Sequence, residues 1–401
     1  MEKMGPQLLL SYDFPPMGGG IARWMGELAK RYPSGRLIVS TGQFGEGDVR
    51  DQQFVSCIDR LPVRSNRLRS VPGIVRWSRR AGTLARRHQA EFVWCGNLKP
   101  AAYPAKWVKT RLGVPYGILL HGGDLLTLRH QASQSYAKRR VARSLLDSAA
   151  LLVCNSGYTA ALCRLVLGDL GVTVPHDRVH TVPLGADPEI FRPGLDPGEV
   201  RRRYGLDGRR WLLSVARLTR HKGIDMGIQA LAQLAPDYPD LGYAVVGTGD
   251  DLSELESLGR VLGIADRIKF LGQVPEVDLP EVYNSAEIYL GLSRVMPERV
   301  EGFGISLAEA AASGLPVIAG ISGGIPETVE DEVSGLLVNP EQVSQVSAAV
   351  RSLLSDRSLA SKLGAKGRER VERYYNWDRV AAELARLGHE HGIQAQLPQL
   401  V

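Results

Sequence analysis

The sequence predicts an α/β fold of two domains, each built on a parallel sheet, and three observations carry this. A chain of 401 residues exceeds what one ordinary core closes over. Short apolar runs alternate with helical patterns in both halves, the mark of a parallel sheet covered by helices. A segment dense in proline and glycine, residues 182–193, separates the halves as a linker does.

The first half opens on an apolar run at 8–12, a loop Asp13-Phe14-Pro15-Pro16-Met17-Gly18-Gly19-Gly20, and a helical pattern at 21–31. In that pattern Ile21, Trp24, Met25, Leu28 and Ala29 share one face. Further strands are expected at 37–40, 92–95, 116–120 and 151–154. Parallel sheets bind ligands outside the carboxyl ends of their strands. Two of these ends carry polar groups: His121-Gly122-Gly123-Asp124, and Asn155-Ser156, which also suits a helix N-cap.

The second half begins with a strand at 211–215, followed by Arg217 and Lys222 in one loop. A planar guanidinium and a compact ammonium can close together on a diphosphate. Strands at 243–246, 268–274 and 286–290 lead to Glu301-Gly302-Phe303-Gly304, a helix over 306–312 stopped at Ser313-Gly314, and an apolar run at 317–319. A glycine loop feeding a helix N-terminus suits an anion, because the first amides lack partners and the dipole favours negative charge. Glu301 and Glu309 frame that loop, and an ionised carboxylate accepts two hydroxyl donors. An anion pocket between two diol-binding groups suits a phosphate with a sugar on each side, a nucleotide-sugar. From 343 to 387 the pattern is helical.

The Glu-x7-Glu spacing with Gly-Phe-Gly and Ala-x-Gly-x-Pro-Val resembles the signature of the family 4 retaining glycosyltransferases. Arg217-x-x-x-x-Lys222-Gly223, Val245-x-Gly247-x-Gly249, the 182–193 segment and the Pro-Pro-x-x-Gly-Gly loop are similar to further family motifs. The loop 294–300 resembles the branch that includes phosphatidylinositol-mannoside mannosyltransferases. The resemblance implies the GT-B architecture: two Rossmann-like domains whose parallel sheets face across a cleft. It implies an acceptor-side domain of 1–185 plus about 376–401, a linker at 186–205 and a nucleotide-sugar donor domain at 206–375.

The same resemblance implies roles for single residues. Arg217 and Lys222 would hold the departing diphosphate, Glu301 the transferred sugar and Glu309 the ribose. Backbone groups of Phe303, Gly304, Ile305 and Ser306 would meet the sugar and the distal phosphate. Gly19, Gly20, Gly247 and Val274 would lie against the donor. His121 would support the sugar, with Asp124 and Asn155 on the acceptor side. The expected reaction transfers a hexose, from a donor of the GDP-mannose or UDP-glucose type, to a hydroxyl of a glycan or lipid-linked acceptor, without metal or other cofactor. Front-face substitution is expected, since no carboxylate is placed as a nucleophile. A nucleotide-sugar epimerase of related fold and a non-catalytic nucleotide-sugar binding subunit are the competing readings.

Composition bounds the setting. A hydrophobic fraction of 44%, a charged fraction of 23% and no apolar run near membrane-spanning length describe a globular chain. Cys57, Cys95, Cys154 and Cys163 are scattered without metal-ligand spacing, which points to a reduced, cytoplasmic setting. The net charge of +6 suits anionic partners of any kind, and no nucleic acid is expected among them. Between Arg60 and His88 there is no acidic residue, while arginines stand at 60, 64, 67, 69, 76, 79, 80, 86 and 87 with Val71, Ile74, Val75 and Trp77 interleaved. Such a stretch reads either as a solvated helix face or as a basic amphipathic surface resting on anionic lipid at the inner face of the cell membrane.

Overall fold

The computed structural model describes residues 4–43, 51–173 and 175–396. Residues 1–3 and 397–401, which belong to the expected acceptor-side domain, lie outside the described residues. The chain divides into two compact units, Met1–Leu184 with Trp377–Val401, and Gly185–Asn376. Residues 186–205 group with the second unit and include the helix Gly198–Tyr204.

Among the described residues the first unit holds seven parallel strands: β1 (Gln7–Leu10), β2 (Leu37–Gln43), β3 (Cys57–Arg64), β4 (Phe92–Cys95), β5 (Tyr116–Leu120), β6 (Leu151–Cys154) and β7 (Val179–Thr181). Their order is β3-β2-β1-β4-β5-β6-β7. β1, β4, β5 and β6 are buried along their whole length, which is why they read as continuous apolar runs. The second unit holds β8 (Arg210–Val215), β9 (Leu241–Val246), β10 (Ile268–Gly272), β11 (Ile288–Gly291), β12 (Val317–Gly320) and β13 (Leu336–Val338), in the order β10-β9-β8-β11-β12-β13. Every pairing in both sheets is parallel. Each sheet therefore reverses its strand order once, between β1 and β4 and between β8 and β11. Loops leaving the carboxyl ends of those strands diverge there and open a crevice.

The expected arginine-rich helix over 60–88 is corrected by the structure. Residues 60–64 complete β3, Ser65–Arg69 form a 3-10 turn, and the helix begins at Val71 and ends at Arg87. Arg60 is committed inward, donating to both carboxylate oxygens of Asp51 at 2.7 Å and to the Pro15 carbonyl at 2.7 Å. Trp77 does not face outward. It is fully buried, and its indole N–H donates to Ser40 Oγ at 3.1 Å. The arginines at 64, 67, 69, 76, 79, 86 and 87 are exposed, as are Val71 (75%) and Val75 (45%).

The C-terminal helix, Trp377–Gln396, is held in the first unit by a buried polar knot at the start of β1. Gln7, fully buried, accepts on Oε1 from the Tyr32 hydroxyl and from the Trp94 indole at 2.8 Å, and its Nε2 donates to the Ala385 carbonyl at 3.0 Å. Glu91 accepts from the Gly5 amide at 3.0 Å and lies 2.9 Å from His389 Nδ1. Burying these groups is tolerable because each finds a partner. Gly388 makes the approach possible: a Cβ there would stand 2.1 Å from Gln7 Oε1. Gly388→Ala should therefore lower the stability of the first unit by about 1–3 kcal/mol, read as a lower urea midpoint by tryptophan fluorescence. Gly168, a helix residue with open space around its would-be Cβ, should tolerate Ala with a gain of about 0.5–1 kcal/mol. Equal midpoints for the two variants would contradict this account.

Candidate functional site

In the second unit the two loops at the switch point carry the charged residues. The loop after β8 holds Arg217 and then a 3-10 turn, Arg220–Lys222. It is zipped to the turn after β9: Ala216 donates to the Val246 carbonyl at 3.0 Å, and Leu218 to the Thr248 carbonyl at 2.9 Å. The glycines of that turn are required by this contact. A Cβ on Gly247, at φ +129°, would stand 1.9 Å from the Ala216 carbonyl oxygen, and one on Gly249 2.2 Å from that of Leu218. Gly247 thus places the backbone beside Arg217, whose side chain is exposed.

The loop after β11 runs through Ser293 and Arg294 to Glu301, Phe303 and Gly304. Arg294 straps the two loops together. Its guanidinium donates to both oxygens of Asp225 at 2.8 Å and to the Arg220 carbonyl at 2.9 Å, and its amide donates to the His221 carbonyl at 2.8 Å. The Lys222 ammonium pairs with Glu301 Oε2, which also accepts from Ser293 Oγ at 3.3 Å. Val215, Lys222, Ser293, Glu301, Gly304 and Ser306 line one small cavity.

The charge states follow from this packing. Burial alone would raise the Glu301 carboxyl, but Lys222, His221 and the Ser293 hydroxyl outweigh it and hold the group below the usual carboxylate range. His221 is buried, and desolvation together with the cations Lys222, Arg299 and Arg217 pushes its imidazole down to about 4 against the opposing pull of Glu301. It is a neutral ring at physiological pH, 3.0 Å from Thr219 Oγ1 through Nδ1.

Gly304 adopts φ +91° and precedes the helix Ile305–Ala312, which has no side-chain cap and no acid in its first turn. Ile305 and Ser306, both half-buried, form that first turn. Phe303 is buried against Tyr375, with its carbonyl taken by Thr328 Oγ1 at 2.7 Å. Glu309, the fifth residue of the helix, is only 4% exposed and accepts from the Tyr283 hydroxyl at 2.9 Å. Val274 is buried just beyond the end of β10.

The first unit gathers its own polar set at the carboxyl edge of its sheet. Gly19, at φ +112°, and Gly20 are exposed and open the helix Gly20–Arg31, again without a side-chain cap or an acid in the first turn. His121 is half-buried. Its Nε2–H donates to the Gly96 carbonyl at 2.8 Å, and its ring stands edge-on to Trp24 at 5.0 Å. Asp124 Oδ1 accepts from the amides of His121 at 3.1 Å and Leu125 at 2.9 Å. Asn155 is buried, accepting from Thr159 Oγ1 at 2.8 Å, and the cap of the helix Gly157–Leu170 is the neighbouring Ser156. Asn97 Nδ2 donates to Asp13 Oδ2 at 2.9 Å in the same region. Sequence reasoning passed over Asn97, Ser293 and Tyr283, and named Arg294 only as part of the charged loop 294–300, without a role. Asn97, Ser293 and Arg294 stand within three residues of a strand end and were open to the strand-end rule. Tyr283 carries no local signal.

Comparison with known proteins bears on the family and the fold. The model described as glycosyltransferase family 4 matches residues 18–190, and that described as glycosyl transferases group 1 matches residues 198–370. A GDP-mannose-dependent alpha-(1-6)-phosphatidylinositol monomannoside mannosyltransferase of Mycobacterium tuberculosis is 33% identical, over 95% of this chain and 97% of its own. The enzyme of the same name from Mycolicibacterium smegmatis is 31% identical, again over 95% and 97%. Among solved structures, Anabaena HepE in complex with UDP and glucose superposes with a TM-score of 0.78 at 21% identity, over 96% of this chain and 99% of that one. Two Rossmann-like units with parallel sheets, and relatives of this identity over nearly the whole length, make this chain a member of glycosyltransferase family 4, with the GT-B fold.

Proposed function

We propose that the chain transfers a hexose from a nucleotide diphosphate sugar to a hydroxyl of a glycolipid acceptor, with retention at the anomeric carbon. The relatives' GDP-mannose dependence and phosphatidylinositol monomannoside acceptor support mannose from GDP-mannose and a mannosylated phosphoinositide as the pair. The observation that carries the reading is the cavity in which Lys222, Glu301 and the open helix start at Gly304 meet at the switch point of the second sheet.

Each group then has a task. The amides of Ile305 and Ser306 and the helix dipole take the distal phosphate, approached through Phe303 and Gly304. Arg217 and Lys222 neutralise charge that grows on the diphosphate as the anomeric bond breaks, the kind of stabilisation that acts most in the transition state. Glu301, kept ionised, accepts from sugar hydroxyls, and Glu309 from the ribose diol. Gly247 supports Arg217, and Val274 lies toward the base. The acceptor oxygen bonds to the anomeric carbon on the face that the phosphate leaves, and its proton passes to the departing phosphate oxygen. His121 would support the sugar by a hydrogen bond from its ring or through its backbone carbonyl. Gly19, Gly20, Asp124 and Asn155 serve the donor phosphates and the acceptor from the first unit.

No metal enters this scheme, so saturating chelator should leave kcat/KM unchanged in a radiolabelled-mannose transfer assay; loss of activity restored by a divalent cation would contradict it. Arg217→Ala should lower kcat/KM about 100-fold or more with the melting temperature unchanged, since the side chain is exposed. Near-wild-type turnover would remove the basis of the reading. An anionic lipid surface is proposed as partner for the exposed arginines from 64 to 87, with Val71 and Val75 at the contact. The protein should sediment with vesicles containing phosphatidylinositol and stay in solution with neutral ones, the difference vanishing at high salt. Equal, negligible sedimentation with both would show a merely solvated face.

A further inference from the structure

We propose that Tyr283 is a positioning residue for the donor nucleotide, its buried phenol fixing the carboxylate of Glu309 in the orientation that receives the ribose. The inference rests on the ribose role given to Glu309 above. Tyr283 lies in the short helix Leu279–Asn284 and is fully buried. Its ring is wedged edge-on against Phe191 at 5.6 Å and tilted against Tyr289 at 5.8 Å. A ring packed on two sides has both torsions set, so the position of its hydroxyl is set as well. That hydroxyl donates to Glu309 Oε2 at 2.9 Å and lies 3.4 Å from the Ser306 carbonyl oxygen.

The requirement comes from burial. A carboxyl group only 4% exposed is costly to bury unless donors are aimed at it. A bond to a charged acceptor is also roughly twice as strong as a neutral one. Glutamate carries three side-chain torsions. Anchoring one oxygen removes most of that freedom before the ligand arrives, so the ordering cost is not charged to binding. Tyr289, packed against the Tyr283 ring, is held in turn by its own hydroxyl, which lies 3.3 Å from the Val215 amide nitrogen and carbonyl oxygen.

The test is calorimetric binding of GDP and of 2′,3′-dideoxy-GDP to wild type, Tyr283→Phe, Glu309→Ala and the double variant, with steady-state transfer kinetics. Tyr283→Phe keeps the ring and its packing, and removes one donor. It should weaken GDP about tenfold and raise the donor KM similarly, with kcat at saturating donor changed less than about twofold. Its affinity for dideoxy-GDP should equal that of wild type, and in the Glu309→Ala background it should have no further effect. Unchanged GDP affinity, an equal loss for both nucleotides, or additive losses would each overturn the proposal. Wild-type GDP affinity in Glu309→Ala would instead overturn the ribose role itself, and with it the ground for this one.

Discussion

The candidate site of the second unit is arranged around one electrostatic contact, the pairing of Lys222 with Glu301 at the point where its sheet reverses order. The two residues are 79 positions apart and sit on different loops. What joins them is the adjacency of β8 and β11, which pair in register from Leu212 with Ile288. Everything nearby keeps the two loops close enough for the contact. Arg294 crosses from one loop to the other and satisfies a carboxylate and two backbone groups on the far side. Gly223 brings its backbone so near to Leu292 that a Cβ would lie 2.0 Å from the carbonyl oxygen, and Gly323 does the same to Glu301 at 2.1 Å. A side chain at Gly223 would push those two loops apart and separate the charges, and one at Gly323, beyond β12, would displace the backbone of Glu301 itself.

How much of this was legible follows from how local each cause is. Strands buried along their whole length left continuous apolar runs and read directly: 92–95, 116–120 and 151–154 coincide with β4, β5 and β6. The glycine loop, helix and strand from 301 to 320 read equally well, because each residue type there answers a backbone demand of its own position. β3 did not, since Cys57–Arg64 is half-exposed, carries Pro62 and is rich in charge. β7 and β13 have three residues each, too few for any period. The burial of Trp77 was not legible, because arginine spacing says where a helix is wet and not which of its faces meets the sheet.

The supporting residues were invisible for a different reason. Tyr283 meets Glu309 across 26 positions and Arg294 meets Asp225 across 69. Such pairings depend on helix phase and loop path, which one sequence without relatives does not reveal. The residues expected to touch ligand sit in motifs, while those that hold them in place are ordinary tyrosines, serines and arginines at unremarkable positions. A reading from the residues therefore names candidate ligand-binding groups more readily than the groups that hold them.

The self-pairing of the site also bears on what it can bind. With no ligand, the Lys222 ammonium is neutralised by Glu301, and His221, pushed down to about 4, adds no charge. A neutral sugar offers Lys222 nothing that Glu301 does not already supply. A diphosphate carries more negative charge than one carboxylate, and it also meets unpartnered helix amides at Ile305 and the exposed Arg217. It can draw the ammonium toward itself and leave Glu301 free to accept from hydroxyls of the attached sugar, while the Ser293 bond keeps the carboxylate from turning away. On the roles proposed above, the phosphate and the sugar would be read together, the first freeing the group that receives the second. A free hexose would have to break the ion pair unaided, and a nucleotide without its sugar would leave a half-buried carboxylate with one fewer partner, so the pair favours the intact donor over either of its parts.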